Sequence, residues 1–255
     1  MRALLVTSRS AMAEAWANRS AFWTQIAIMV ANDVAWVAFW VLFFHRVGSV
    51  RGWDARDVLL MRAILTTGAG LVLGVFANAR SIGRLITGGE LDAALALPVP
   101  TLPYLLVRRV NPSNMGDVVF GVLLFVFSGS PSPARVLLFV CGVLVSATLL
   151  TGFLVAAGSS AFYAGRDDVG ELSFHAMLLL SSYPVDVFGG VAKVALYTVL
   201  PAAFVAAVPA KLMESFDPVV ALVAVGAAVF FALLGWVTFN AGVRRYTSGA
   251  VWTQA

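Results

Sequence analysis

Residues 80–109 read RSIGRLITGGELDAALALPVPTLPYLLVRR, and they separate two long apolar runs. The interval is bounded by Arg80 and by Arg108-Arg109. It holds the Gly88-Gly89 break, the carboxylates of Glu90 and Asp92, and Pro98, Pro100 and Pro103. Ile82, Leu85 and Ile86 fall at i, i+3, i+4, with Arg80 and Arg84 one turn apart. This pattern extends the preceding apolar run as a helix into the headgroup layer, where its arginines can reach lipid phosphate. Gly88-Gly89 ends that helix, because glycine accepts the left-handed conformation that closes one. Glu90 and Asp92 suit the positive N-terminal end of a second short helix, which Pro98 stops after about two turns. That helix, ELDAALAL, carries Leu91, Ala94 and Leu95 on one side. Two turns are too few to be stable alone, so the segment needs a mount, and the three prolines stiffen its return path. A short, braced helix with an apolar stripe and acidic neighbours has the form of a plug for a groove on another protein.

Outward from this interval the chain is lipid-soluble. Of 255 residues, 60% are hydrophobic and 12% charged, with a mean hydropathy of +0.91. A soluble domain carries about 25% charged residues, so the surplus apolar surface faces a bilayer. The expected fold is an all-α polytopic membrane protein with six transmembrane helices in a single transmembrane domain over residues 1–255. A crossing takes about 20 apolar residues, and such runs occupy 22–44, 58–78, 113–129, 134–162, 187–209 and 219–242. Residues 1–20 mix Arg2, Arg9, Glu14 and Arg19 with Leu4, Leu5, Met12 and Trp16, a pattern for an amphipathic helix lying at the interface. The first apolar run is too long for a signal-peptide core and lacks a cleavage site after it. Residues 172–190, LSFHAMLLLSSYPVDVFGG, read as an interfacial helix on the cytoplasmic side; a first leg of the fifth span is the other reading. Pro201 should kink the fifth span.

The basic residues set the orientation. The side holding both termini and the links 79–112 and 163–186 has ten arginines. The side with links 45–57, 130–133 and 210–218 has five Lys or Arg. The excess predicts cytoplasmic termini. The margin is narrowed by HRVGSVRGWDARD at 45–57, which is itself basic.

Here a family can be named. GGELDAALALPVP at 88–100, followed by SSYPVDVF at 181–188 and VLPAAFVAAVPAKLM at 199–213, resembles the permease subunits of ABC-2-type ATP-binding-cassette (ABC) exporters. The similarity is to a bacterial six-span subgroup with a Gly-Leu-Asp-x-x-Leu-x-x-Pro signature between spans two and three. Glu90, inserted between Gly89 and Leu91, lengthens that signature by one residue. The resemblance implies a coupling helix at 79–112 that docks in a cleft of a cytoplasmic ATPase subunit, with Gly89, Glu90, Leu91, Asp92, Leu95 and Pro98 as the docking set. It further implies two ATPase copies and a second permease, identical or paralogous, in the bacterial cytoplasmic membrane.

The chain shows no motor of its own. A phosphate-binding loop needs G-x-x-x-x-G-K-[ST], and the only lysines, Lys193 and Lys211, both follow alanine. No cofactor is therefore expected on this chain; ATP and Mg²⁺ would sit on the partner ATPase. A single cysteine, Cys141, and two histidines, His45 and His175, cannot build a disulfide or an all-protein zinc site. The net charge of +4 is no nucleic-acid signature in a membrane chain.

Within the spans, Asp33 lies about 16 Å from either end of the first. A carboxylate there costs roughly 2.5–3.5 kcal/mol to insert and faces protein or a water-filled cavity. Arg62, one turn inside the second span, is its expected partner. The pair reads as a structural ion pair or as part of a translocation path, and an ion-coupled carrier or channel using Asp33 is the alternative function. Asp117 reads as a structural charge at the start of the third span. An intramembrane enzyme built on Ser159 or Ser160 with His175 lacks a G-x-S-x-G elbow. Asp167, Asp168 and Glu171 read as a solvated loop rather than a cation site. Small residues every fourth position, Thr66-Gly70-Gly74-Asn78 and Thr148-Gly152-Ala156-Ser160-Ala164, allow close helix packing within the bundle or across a dimer.

Overall fold

A computed structural model describes residues 19–128, 130–166 and 168–246. The expected interfacial helix at 1–20 lies almost wholly outside the described residues. The described residues are mostly helical, with one isolated bridge between Val50 and Trp53, and several of the long helices begin where the sequence supplies caps. Helix α1 spans Arg19–Val47. Helix α2, Ala55–Val75, opens on a capping box in which Asp54 accepts from the Asp57 amide and Asp57 accepts from that of Asp54. A one-turn 3₁₀ helix at Ala79–Ser81 leads into α3 (Ile82–Thr87), α4 (Glu90–Leu95) and α5 (Thr101–Val107). Helices α6 (Met115–Ser128) and α7 (Pro133–Gly158) follow. Ser132 caps α7, with Pro133 in the first turn where its missing N–H is harmless. After α8 (Ala161–Ala164) come α9 (Val169–Ser181), α10 (Gly190–Thr198), a π-helical turn at Ala203–Ala207, α11 (Val208–Glu214) and α12 (Pro218–Val243). Asp217 caps α12 through the amides of Val219 and Val220.

Among the described residues, four helices are long and apolar enough to cross a bilayer: Phe22–Val47, Ala55–Val75, Pro133–Ala164 and Pro218–Val243. Helix α2 is the centre of the bundle, since 78% of its apolar stretch is buried, against 11% for α1 and 22% for α12. The exposed side chains of α1, α6, α7 and α12 are large and apolar, among them Phe39, Phe127, Leu144 and Trp236. That surface requires lipid. The chain is a multi-pass all-α membrane protein. Small residues draw the core helices together. A Cβ on Gly152 of α7 would stand 2.5 Å from the α12 backbone at Phe231 and Ala232, and one on Gly235 would meet Gly152 O at 2.5 Å. The α2 stripe is likewise used inside the chain, where Gly70 faces Asp117 and Asn114.

Contacts divide the bundle into two ends. At one, the Glu90 end, Arg80 pairs with Glu171 at 3.6 Å. At the other, the Trp53 end, Trp53 Nε1 donates to Asp186 Oδ2 at 2.8 Å. Glu171 stands at the start of α9 and Asp186 just beyond its end, so residues 169–187 run from one end to the other. This corrects the expectation that 172–190 is an interfacial helix on the side of the termini; it is the fifth leg. The helix itself supplies about 20 Å, and the six residues after Ser181 complete the passage.

The expected span at 187–209 is corrected with it. The stretch leaves the Trp53 end at Asp186 and returns there at Lys211, whose Nζ sits 4.2 Å from the Trp53 ring centroid and donates to Gly52 O at 2.8 Å. At its inner tip, Ser181 Oγ donates to Ala202 O at 3.2 Å. Helix α10 and the Ala203–Glu214 stretch bend by 69° about Pro201. The segment dips in and comes back. The expected kink at Pro201 is present, as the bend of a re-entrant loop.

Candidate functional site

The Glu90 end is built from three short helices, α3, α4 and α5, folded on the bundle. Gly89 has φ 75°, the left-handed conformation that turns α3 into α4 without a Cβ clash. Glu90 and Asp92 occupy the first turn of α4, as the helix dipole favours. Glu90 also reaches Arg108 at 3.1 Å and Arg109 at 3.9 Å, tying the start of α4 to the end of the return path. Asn78 Nδ2 donates to Leu105 O at 2.7 Å, and the Asn111 amide donates to Gly74 O at 2.9 Å. These bonds clamp the excursion onto the foot of α2. Beneath it lies a second small core of Ile82, Leu85, Ile86, Leu91, Ala94 and Leu105, packed on Val155 and Phe239 of the long helices. Helix α4 packs between α3 and α5, and α3 packs in turn on α7.

The six docking positions divide. Leu91 is 0% exposed and belongs to that small core, whereas Leu95 is 40% exposed. Asp92, Ala93, Ala96, Leu97 and Pro98 are exposed beside Leu95. Leu91 is thus an anchor inside the chain, and the carry-over of it as a docking contact is corrected. The outward surface is Leu95, Leu97 and Pro98 next to Asp92. Leu97 lies just beyond α4 and outside the stripe of Leu91, Ala94 and Leu95, so helical spacing does not single it out. Gly89 acts on backbone geometry, and Glu90 through its arginine pairs.

The two intramembrane residues come together. Arg62 Nη2 lies 3.1 Å from Asp33 Oδ1, and its Nη1 is 3.2 Å from Ser182 Oγ. Both charged residues are buried. The guanidinium also stands 5.3 Å from the Trp36 ring centroid, a favourable cation–π placement. A cavity of about 280 Å³ borders the pair, and Asp117 and Thr66 line it. Asp117, taken from the sequence as a helix-start charge, thus has a second environment. Only the tertiary approach of α6 to α2 reveals it.

The remaining sequence candidates are not assembled. Ser159 Oγ and Ser160 Oγ donate to carbonyls of their own helix, Val155 and Ala157, and His175 is exposed against Glu171 O. Asp168 pairs with Arg166 at 3.5 Å and Glu171 with Arg80; Asp167 lies outside the described residues. No cluster of metal-ligating side chains occurs among the described residues.

Residues 30–250 match the family described as ABC-2 family transporter protein. The chain belongs to that family. Comparison with curated proteins and with solved structures gave no match. As an ABC-2 family member the chain is an ABC-type permease, and the family spans both the Asp33–Arg62 pair and the α3–α5 excursion. In this ABC-2 permease, Trp53, Asp186, Lys193 and Lys211 form a further polar cluster that clasps the re-entrant segment. Lys193 Nζ reaches Asp186 Oδ1 at 2.7 Å. Burial pushes the Asp186 carboxyl up, but the hydrogen bonds from Lys193 and Trp53 outweigh it and hold the group below the usual carboxylate range.

Proposed function

We propose that this chain is the membrane half of an exporter whose work is done by a separate ATPase docked on the exposed face of α4. The observation that carries the reading is the split of that helix. Leu91 and Ala94 are locked into the permease, while Leu95, Leu97 and Pro98 stand outward beside Asp92. A two-turn helix with one face fixed and the other apolar and bare is a handle. An ATPase that closes on ATP and Mg²⁺ would grip it, and the Val155 and Phe239 contacts would pass the motion to α7 and α12. The Glu90 end then faces the cytoplasm, the termini lie on that side, and the membrane is the bacterial cytoplasmic membrane. A second permease, identical or paralogous, and two ATPase copies complete the machine. The lack of a phosphate-binding loop in this chain supports ATP hydrolysis on the partner.

The test is co-purification with an ABC ATPase co-expressed with the permease. Leu95→Arg should abolish it while the permease keeps its thermal stability, because Leu95 already contacts solvent. Retention of the ATPase by Leu95→Arg, with Leu97→Arg equally silent, would remove α4 as the handle. Transport that continues without any ATPase and stops on Asp33→Asn would instead identify an ion-coupled carrier.

A further inference from the structure

The cavity beside Asp33 carries more negative charge than its partners neutralise. Its lining holds two carboxylates, Asp33 and Asp117, and one cation, Arg62. Arg62 is engaged by Asp33 Oδ1 and Ser182 Oγ. Asp33 Oδ2 and Thr66 Oγ are buried with no hydrogen-bond partner, on residues 5% and 6% exposed. The Asp117 side chain makes no hydrogen bond or ion pair with a described residue and lines the same cavity as Asp33 and Arg62. Buried polar groups are ordinarily satisfied, and an uncompensated charge in the membrane interior is costly. Asp33, Asp117 and Thr66, three residues with oxygen acceptors, therefore line a cavity suited to one positive charge bearing several N–H or O–H donors.

A second hollow, also of about 280 Å³, shares Asn32 and Trp36 with the first and adds Ala35, Phe39 and Tyr183. The Trp36 ring meets Phe39 and Tyr183 edge to face, each at 6.1 Å. Phe39 is 48% exposed on the lipid side of α1. Aromatic walls of this kind hold alkyl chains and attract cations. The aromatic hollow is a mouth open to the bilayer, and the polar cavity is its end.

We propose that the two hollows form one binding site for a membrane-soluble amine. Its ammonium would pair with Asp117 and Asp33 beside Thr66, and its alkyl stem would lie in the hollow lined by Ala35, Trp36, Phe39 and Tyr183. Arg62 neutralises one carboxylate and leaves room for one further charge, which favours monocations. The site gives the exporter reading a cargo class, and for transport it rests on that reading. Binding itself does not.

The experiment uses the full chain in nanodiscs of zwitterionic lipid, with empty nanodiscs as blank, and dodecylammonium, dodecanol and Na⁺ as probes. Dodecylammonium should bind saturably at one site per chain, and dodecanol and Na⁺ should not displace it. Asp117→Asn should weaken binding at least ten-fold. The near-isosteric Thr66→Val should weaken it several-fold, which keeps the test alive if Asp117→Asn fails to fold. No saturable binding above the blank, equal displacement by dodecanol, competition by Na⁺ alone, or binding unchanged in a folded variant would each overturn the site; with no saturable binding, the cavity holds only water. ATP-driven movement of dodecylammonium into inverted vesicles is then measured separately. Binding without ATP-driven movement leaves the site and removes the exporter reading; ATP-driven transport of another compound without amine binding does the reverse.

Discussion

At the residue scale, the Asp33–Arg62 pair is the most legible feature of the chain. An ionisable group in an apolar run must find a partner, and Arg62 was the nearest cation one turn inside the next span. Removing either partner alone leaves the other buried and uncompensated, a loss of about 3–5 kcal/mol. Asp33→Leu and Arg62→Met should each lower the melting temperature of the purified permease, and the double variant should recover at least half the loss. A double variant no better than the worse single one would mean that the pair contributes through packing. The Asp186 cluster was not legible, since its partners Trp53, Lys193 and Lys211 are scattered along the chain. Its carboxyl is held below the unfolded value, near 3.9, so its contribution to stability is present above about pH 4 and is lost as pH falls through the lower folded value. Trp53 emission should hold steady from pH 8 to 5 and shift red only below about pH 4. Asp186→Asn should show the red-shifted spectrum at every pH.

At the element scale, the existence and bounds of α4 were readable because glycine, acidic residues and proline mark both ends of a two-turn helix. Which face it buries was not readable. Leu91, Ala94 and Leu95 fit one stripe by spacing, but in so short a helix a rotation of a few tens of degrees decides whether position 95 is inside. The clamp from Asn78 and the Glu90–Arg108 pair fixes that rotation, and those contacts depend on the return path through α5. Truncation should separate the two leucines. Leu91→Ala empties a sealed site and should cost about 2–5 kcal/mol, whereas Leu95→Ala should leave the melting temperature within about 1 °C. An equal loss in both would mean that α4 sits deeper than its exposure indicates. The α7–α12 contact was foreshadowed by the glycine at position 152, and Gly152→Leu should prevent accumulation of folded permease, because the side chain would enter the α12 backbone. Recovery of a normal yield would show that these helices can separate.

At the scale of the whole molecule, hydropathy expected six spans where four helices of the described residues are long and apolar enough to cross, and it assigned the fifth to the wrong residues. Residues 187–209 are apolar enough to span, and composition alone does not separate a span from a loop that dips in and returns. The decision rests on where the ends are tied. Asp186 and Lys211 both hold Trp53, and a straight helix between them would set them about 37 Å apart at 1.5 Å per residue. Helix α10 presents Val191, 85% exposed, to the outside of the bundle rather than to the core. The two layouts place residue 189 on opposite sides of the membrane, and Gly189 has open space around it for a side chain. In a Cys141→Ala background, Gly189→Cys and Ser215→Cys should react with an impermeant maleimide from the same side as Ser49→Cys, and Ala96→Cys from the other. Reaction of Gly189→Cys together with Ala96→Cys would restore a straight fifth span beginning at residue 187 and would detach Asp186 from Trp53. Same-side reaction with Ser49→Cys leaves a cap at the Trp53 end, held by one tryptophan between a carboxylate and an ammonium, over the end of the bundle opposite α4.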